Sequence, residues 1–168
     1  MTQSIKFDFS GRRVLVTGGT SGIGAATAGA FAAAGARVVI SGRNRDQAER
    51  LIEASSGASG EIHFVAGDLA EREACDRVVG NTNERLGGLD IVVNSAGIIH
   101  HATAEETSDQ QWLDTMNINV NAMFFVCRAA LPLLRQSRGT IVNIDSDAAL
   151  TGSYCLLYTS PSQRDQRQ

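Results

Sequence analysis

The chain has 168 residues, 43% of them apolar and 20% charged, enough for one domain with its own core. Its net charge of −3 gives no basic footprint for nucleic acid or an anionic membrane surface. No stretch approaches the roughly 18 consecutive apolar residues of a bilayer span, and residues 1–10 lack the layout of a secretion signal, so a cytoplasmic protein is expected. Cys75, Cys127 and Cys155 stand far apart and His63, His100 and His101 form no ligand spacing, so neither zinc knuckles, a redox CxxC nor another metal site is expected.

The first predicted element is a strand at 13–17, a continuous apolar run rather than an alternating one, as in strands covered on both faces by helices. Directly after it comes Thr17-Gly18-Gly19-Thr20-Ser21-Gly22-Ile23-Gly24, leading into a helix of small residues at 23–34. Gly18 suits a tight turn, Gly22 a close backbone approach and Gly24 the packing of helix on strand, while the helix N-terminus attracts a phosphate pair. Ala25 and Ala26 stand where a triphosphate-binding loop needs Lys and Ser or Thr, which disfavours triphosphate hydrolysis.

A second strand at 37–41 ends in Ser41-Gly42-Arg43-Asn44. An acid at that end would accept hydrogen bonds from an adenosine ribose and repel a 2′-phosphate. Gly42 holds the acid's place and Arg43 offers a planar fork suited to phosphate, so NADP(H) is expected over NAD(H), although Ser21 brings no basic side chain to the loop. Next come a helix at 46–55, a strand at 62–66 followed by Asp68-Leu69, a helix at 71–86 and a strand at 90–94 running into Asn94-Ser95-Ala96-Gly97. Ser108 with Gln111 forms a capping box that opens a long helix at 109–134, in which Trp112, Met116, Met123 and Cys127 are expected to form one buried stripe. A last strand is read at 140–144. Strands alternating with helices predict βαβ units, hence an α/β, Rossmann-type, doubly wound parallel sheet cut off after its fifth strand.

Taken in order, these motifs resemble the short-chain dehydrogenase/reductase family over residues 7–152, with GxxxGxG as that family's form of the glycine loop. The resemblance implies hydride transfer between NAD(P)(H) and a small carbonyl or alcohol substrate. It implies cofactor contacts from Gly18, Ser21, Gly22, Ile23, Gly24 and Arg43, adenine contacts from Asp68 and Leu69, and a cofactor wall from Asn94, Ala96 and Gly97. Ser95 departs from the family's second Asn. Asn119, placed by its distance from Trp112, matches an active-site Asn whose backbone carbonyl holds a proton-relay water, and Ser146 in GTIVNIDS matches the substrate-orienting hydroxyl. The full-length parent is expected to be a homo-oligomer assembled through its long helices.

The same family places its proton-transfer Tyr and Lys in a YxxxK motif. Tyr158 lies near the expected distance from Ser146, but Ser162 stands four residues later, and Lys6 is the chain's one lysine. The chain as written is therefore expected to be inactive, the alternative being a non-catalytic dinucleotide-binding module. Residues 1–154 are read as an incomplete NAD(P)-binding domain. Residues 155–168 are read as a separate tail, polar and aperiodic, in which CLLYTSPS resembles a translated sequencing-library adapter.

Overall fold

The Val- and Ile-rich runs pair side by side in one direction, giving a five-stranded parallel sheet of order β3-β2-β1-β4-β5. The computed structural model describes residues 7–146. The strands are β1 Arg13–Thr17, β2 Arg37–Gly42, β3 Glu61–Ala66, β4 Ile91–Asn94 and β5 Thr140–Asn143. Helices α1 Gly22–Ala33, α2 Arg45–Ala54 and α3 Arg72–Leu86 follow the first three strands; α4 Asp109–Met116, a π turn at Asn117–Asn121 and α5 Ala122–Ser137 link β4 to β5. The fold expectation holds, within a residue or so at each strand end.

Alternate residues of each central strand enter different cores, which is why the runs are apolar without a break. Val14, Val16, Val38 and Ile40 meet Ala28 and Ala32 of α1 and Ala48 of α2. Leu15, Val39 and Val92 meet Val78 and Val79 of α3 and Val126, Ala130 and Leu134 of α5. At the amino ends of the strands the Arg13 guanidinium forks onto Asp90, Nε to Oδ2 at 2.8 Å and Nη2 to Oδ1 at 3.0 Å, and its Nη1 donates to the Gly87 carbonyl at 2.7 Å. Arg37 donates to the Leu86 carbonyl at 3.0 Å. Both arginines thus satisfy carbonyls near the C-terminus of α3.

Two expectations about the long helix change. The capping box is present, with the Gln111 N–H donating to Ser108 Oγ and the Ser108 N–H to Gln111 Oε1. The helix is interrupted by the π turn, however, and the buried face is not the expected stripe. Trp112 is 44% exposed, and Met116, Met123 and Cys127 are half-buried. The buried face is Ala122, Val126, Ala130 and Leu134, one residue over and so about 100° round the helix. Small residues at the contact let α5 approach α3 and the sheet closely, and the bulkier side chains are left on the flank. By length and composition the 109–137 helix could cross a membrane; its buried face packs on α3 and β4.

Candidate functional site

The strand order reverses between β1 and β4, so connections leave these neighbouring strands in opposite directions and a crevice opens beyond their carboxyl ends. A cleft of about 470 Å³ occupies that place. Its floor is the glycine loop, with Gly18, Thr20, Ser21, Gly22, Ile23 and Gly24. One flank is Gly42, Arg43, Gly67, Asp68 and Leu69, and the other is Ser95, Ala96, Gly97 and Ile98 with Ile118 and Ile144.

The loop takes its shape from two left-handed glycines, Gly18 at φ +63° and Gly22 at φ +53°. A Cβ on Gly18 would stand 2.7 Å from the Ala96 Cα, so only glycine lets the first turn pass against the segment after β4. Beside Gly22 the same position is open space, leaving room for a ligand against the backbone. Gly24 packs on the Gly18 carbonyl with no space for a side chain. The Thr17 hydroxyl accepts from the N–H groups of Ser95 and Ala96 at 3.2 and 3.3 Å, tying the loop's start to the opposite wall.

The N-terminus of α1 differs from its capped counterparts. Asn44 caps α2 and Ser108 caps α4, each accepting from a backbone N–H. Ser21 makes no such bond and the first turn of α1 carries no acid. The first backbone bond of α1 runs from the Ala25 N–H to the Ser21 carbonyl, so the N–H groups of Gly22, Ile23 and Gly24 and the positive helix end are left for an anion. This is the donor set a pyrophosphate needs, and the glycine cradle beside it has the space. The loop and the N-terminus of α1 have the space and the free N–H groups to fit the phosphates of a dinucleotide.

The expected cofactor residues Gly18, Ser21, Gly22, Ile23, Gly24, Arg43, Asp68, Leu69, Ala96 and Gly97 all line this one cleft. Asp68 Oδ1 accepts from the Ala70 N–H at 3.1 Å; it holds the turn before α3 and does not cap the helix, whose N-cap is Glu71. Asn94 lies behind the wall, 5% exposed, donating to Asn143 Oδ1 at 2.9 Å and to Cys127 Sγ at 3.2 Å. Its own Oδ1 is buried without a hydrogen-bond partner among the described residues. Asn119 sits in the π turn, a feature frequent at functional sites. Its Oδ1 accepts from the Ile98 N–H and its Nδ2 donates to the Ile98 carbonyl, both at 2.9 Å, so it fixes the wall from behind. Ser146 is the last described residue, past Ile144, and its N–H donates to Asp145 Oδ1 at 2.8 Å. Tyr154, Tyr158 and residues 155–168 lie outside the described residues.

Thr20, Gly67, Ile98, Ile118 and Ile144 were not foreseen. Thr20 and Gly67 adjoin recognised motifs, and position alone could have flagged them. Ile98 and Ile118 lie 20 residues apart in the β4–β5 connection and Ile144 follows β5, and no sequence pattern joins them. Among the described residues, no group of three or more His, Cys, Asp or Glu side chains could hold a metal ion.

The model of the short chain dehydrogenase family matches residues 12–160. The chain is 38% identical over 145 residues to a 3beta-hydroxysteroid dehydrogenase of Mediterraneibacter gnavus, covering 86% of this chain and 52% of that protein. It therefore spans about half the length of the curated relatives it matches. A dehydrogenase/reductase from Sinorhizobium meliloti superposes with a TM-score of 0.86 at 34% identity, over 92% of this chain and 62% of that one. A short chain dehydrogenase from Burkholderia cenocepacia in complex with NADP superposes with a TM-score of 0.83 at 32% identity, over 88% and 60%. With its glycine loop, its sheet and this match over most of its length in agreement, the chain belongs to the short-chain dehydrogenase family.

Proposed function

We propose that the protein is the nucleotide-binding part of an NADP(H)-dependent oxidoreductase acting on a small carbonyl or alcohol substrate. The observation that carries this is the uncapped N-terminus of α1 opening onto a glycine-lined cleft, with Arg43 at the flank where a 2′-phosphate would lie. NADP(H) supplies or accepts the hydride. Gly18 to Gly24 and the α1 N-terminus hold the pyrophosphate, Asp68 and Leu69 border the adenine, and Ala96 and Gly97 line the cofactor wall. Asn94 supports that wall from behind. Asn119 positions it through Ile98 and offers a backbone carbonyl to a relay water, and Ser146 orients the substrate oxygen. Titrating the protein with NADPH and NADH, followed by nucleotide fluorescence, tests the reading. Saturable NADPH binding, tighter than NADH, is expected; binding of neither sinks it.

A second reading, a non-catalytic dinucleotide-binding module, is favoured by one feature of the chain. After Ser146 it contains no lysine to lower the pKa of a catalytic Tyr. Nucleotide binding without carbonyl reduction is expected of this chain, and steady NADPH oxidation with a panel of carbonyls would contradict it. The proposal takes residues 1–154 as the Rossmann unit and 155–168 as adapter-derived, which sequencing the source DNA across codon 155 checks. It also includes a cytoplasmic setting and, for the whole protein, self-association through the 109–137 helix, where Trp112, Leu113, Phe124 and Leu131 are exposed.

A further inference from the structure

Gly42 ends β2, where its φ lies outside the left-handed range that favours glycine. The backbone there would accept any residue, so space alone decides what stands at this position. A Cβ built on Gly42 meets the Thr20 side chain at 2.8 Å from Cγ2, 2.9 Å from Oγ1 and 3.5 Å from Cβ. The two arms of the threonine fork therefore straddle the place the new atom would take, and both contacts are shorter than real Cβ atoms tolerate.

Rotating the threonine does not relieve this. A Cβ carries three staggered positions and threonine fills two of them with heavy atoms. Two of the three point at residue 42, so each rotamer leaves at least one arm in the way. Serine fills only one position and can turn its hydroxyl to the third; valine, with the same fork, cannot clear the space.

We infer that Thr20 is a specificity-determining residue of the nucleotide cleft: its forked side chain denies position 42 a side chain. It thereby denies the cleft the carboxylate that would select an unphosphorylated ribose. The inference rests on the cleft being a nucleotide site. Both residues line it beside Arg43, so the end of β2 meets the ribose with a guanidinium and no carboxylate of its own, while Asp68 on the same flank is held by the Ala70 N–H. A 2′-phosphate is favoured there by charge. Thr20 acts through the residue it excludes rather than by charge of its own.

The experiment uses the full chain with Gly42→Ala and Gly42→Asp, each alone and combined with Thr20→Ser or Thr20→Val. The readouts are the melting temperature without nucleotide and the affinities for NADPH and NADH. Gly42→Ala should melt clearly below the unsubstituted chain; adding Thr20→Ser should restore most of the loss, and adding Thr20→Val should not. With Gly42→Asp, NADH affinity should be at least about tenfold higher beside Thr20→Ser than beside threonine or valine, a difference of about 1.4 kcal/mol. If Gly42→Asp alone binds NADH as well as the Thr20→Ser double variant does, or if Thr20→Val rescues equally, the inference is overturned. If the unsubstituted chain takes up neither nucleotide, the dinucleotide reading fails and the selective role of Thr20 falls with it. The melting pattern then shows separately whether the steric coupling holds.

Discussion

Asp90 fixes the arginine that joins the sheet to a helix end, since Arg13 also reaches the Gly87 carbonyl. Its carboxylate receives Nε and Nη2 of Arg13 and the Arg13 backbone N–H at 2.9 Å. The Arg13 side-chain hydrogen bonds hold its pKa below the ordinary carboxylate range against the opposing pull of burial. Glu61 is lowered in the same sense, first by its hydrogen bond from Arg37 and then by one from His63. Both groups bind protons less readily folded than unfolded, so their contribution is complete above the ordinary carboxylate pKa of about 4 and is lost as pH falls through their depressed folded values. Acid unfolding of Asp90→Asn should accordingly be less steep in that window, and at pH 7 the variant should lose about 2 kcal/mol in a urea titration. An unchanged midpoint would mean that Arg13 finds other partners. Gly22→Val should separate fold from function, because φ +53° strains a β-branched residue by about 1–2 kcal/mol while the new methyls enter the open space beside the loop. NADPH affinity should fall at least about tenfold with the circular-dichroism spectrum retained. The turn of the glycine loop was legible, since Gly18 and Gly22 take left-handed φ values set by the local chain, whereas the close pass of Gly18 against Ala96 was not. The Asn94 partners were not, because Asn143 and Cys127 reach it from distant points in the chain.

The helix termini differ in how they are closed. Helix α5 ends at Arg138, held at φ +54°, with the Gly139 N–H donating to the Leu134 carbonyl at 2.8 Å. The neighbouring glycine does not take the left-handed position. It is needed instead where the chain passes the Asp90 carbonyl and the Leu134 side chain, leaving no space for a Cβ. Arg138→Gly should relieve the cap and stabilise the protein by about 1 kcal/mol, read as a higher urea midpoint; a lower midpoint would show that the arginine's contacts outweigh its backbone cost. The π turn poses a different test. Asn119→Ala removes both bonds to Ile98 and leaves two backbone groups of the cleft wall without partners. A loss of about 2 kcal/mol is expected, with faster amide exchange at Ile98. Helix existence and the Ser108 cap were legible from local signals. The buried face of α5 was not, because alanines mark a close contact only once the opposing surface is known.

Across the whole molecule the described sheet has two edge strands, β3 and β5, and the β5 edge leaves apolar side chains exposed. Among the described residues β5 pairs with β4 alone, and Val142 and Ile144 are 42% and 40% exposed. An exposed apolar strand edge is a template for pairing between chains. This chain expressed alone should therefore associate with rising concentration, seen by light scattering, and Val142→Lys should reduce that association while leaving nucleotide affinity unchanged. A monomeric, fully soluble sample of the unsubstituted chain at high concentration would contradict the prediction. Sequence by itself determined the alternation of strand and helix, the parallel sheet and the glycine loop between β1 and α1, because each depends on neighbours within a few residues or on a periodicity along one element. Tertiary structure alone decided that Ile98, Ile118 and Ile144 converge on one cleft, that the Thr20 fork lies over Gly42, and which face of α5 is buried. These depend on how segments far apart in the chain come to share the same volume, and excluded volume between distant residues leaves no local pattern to read.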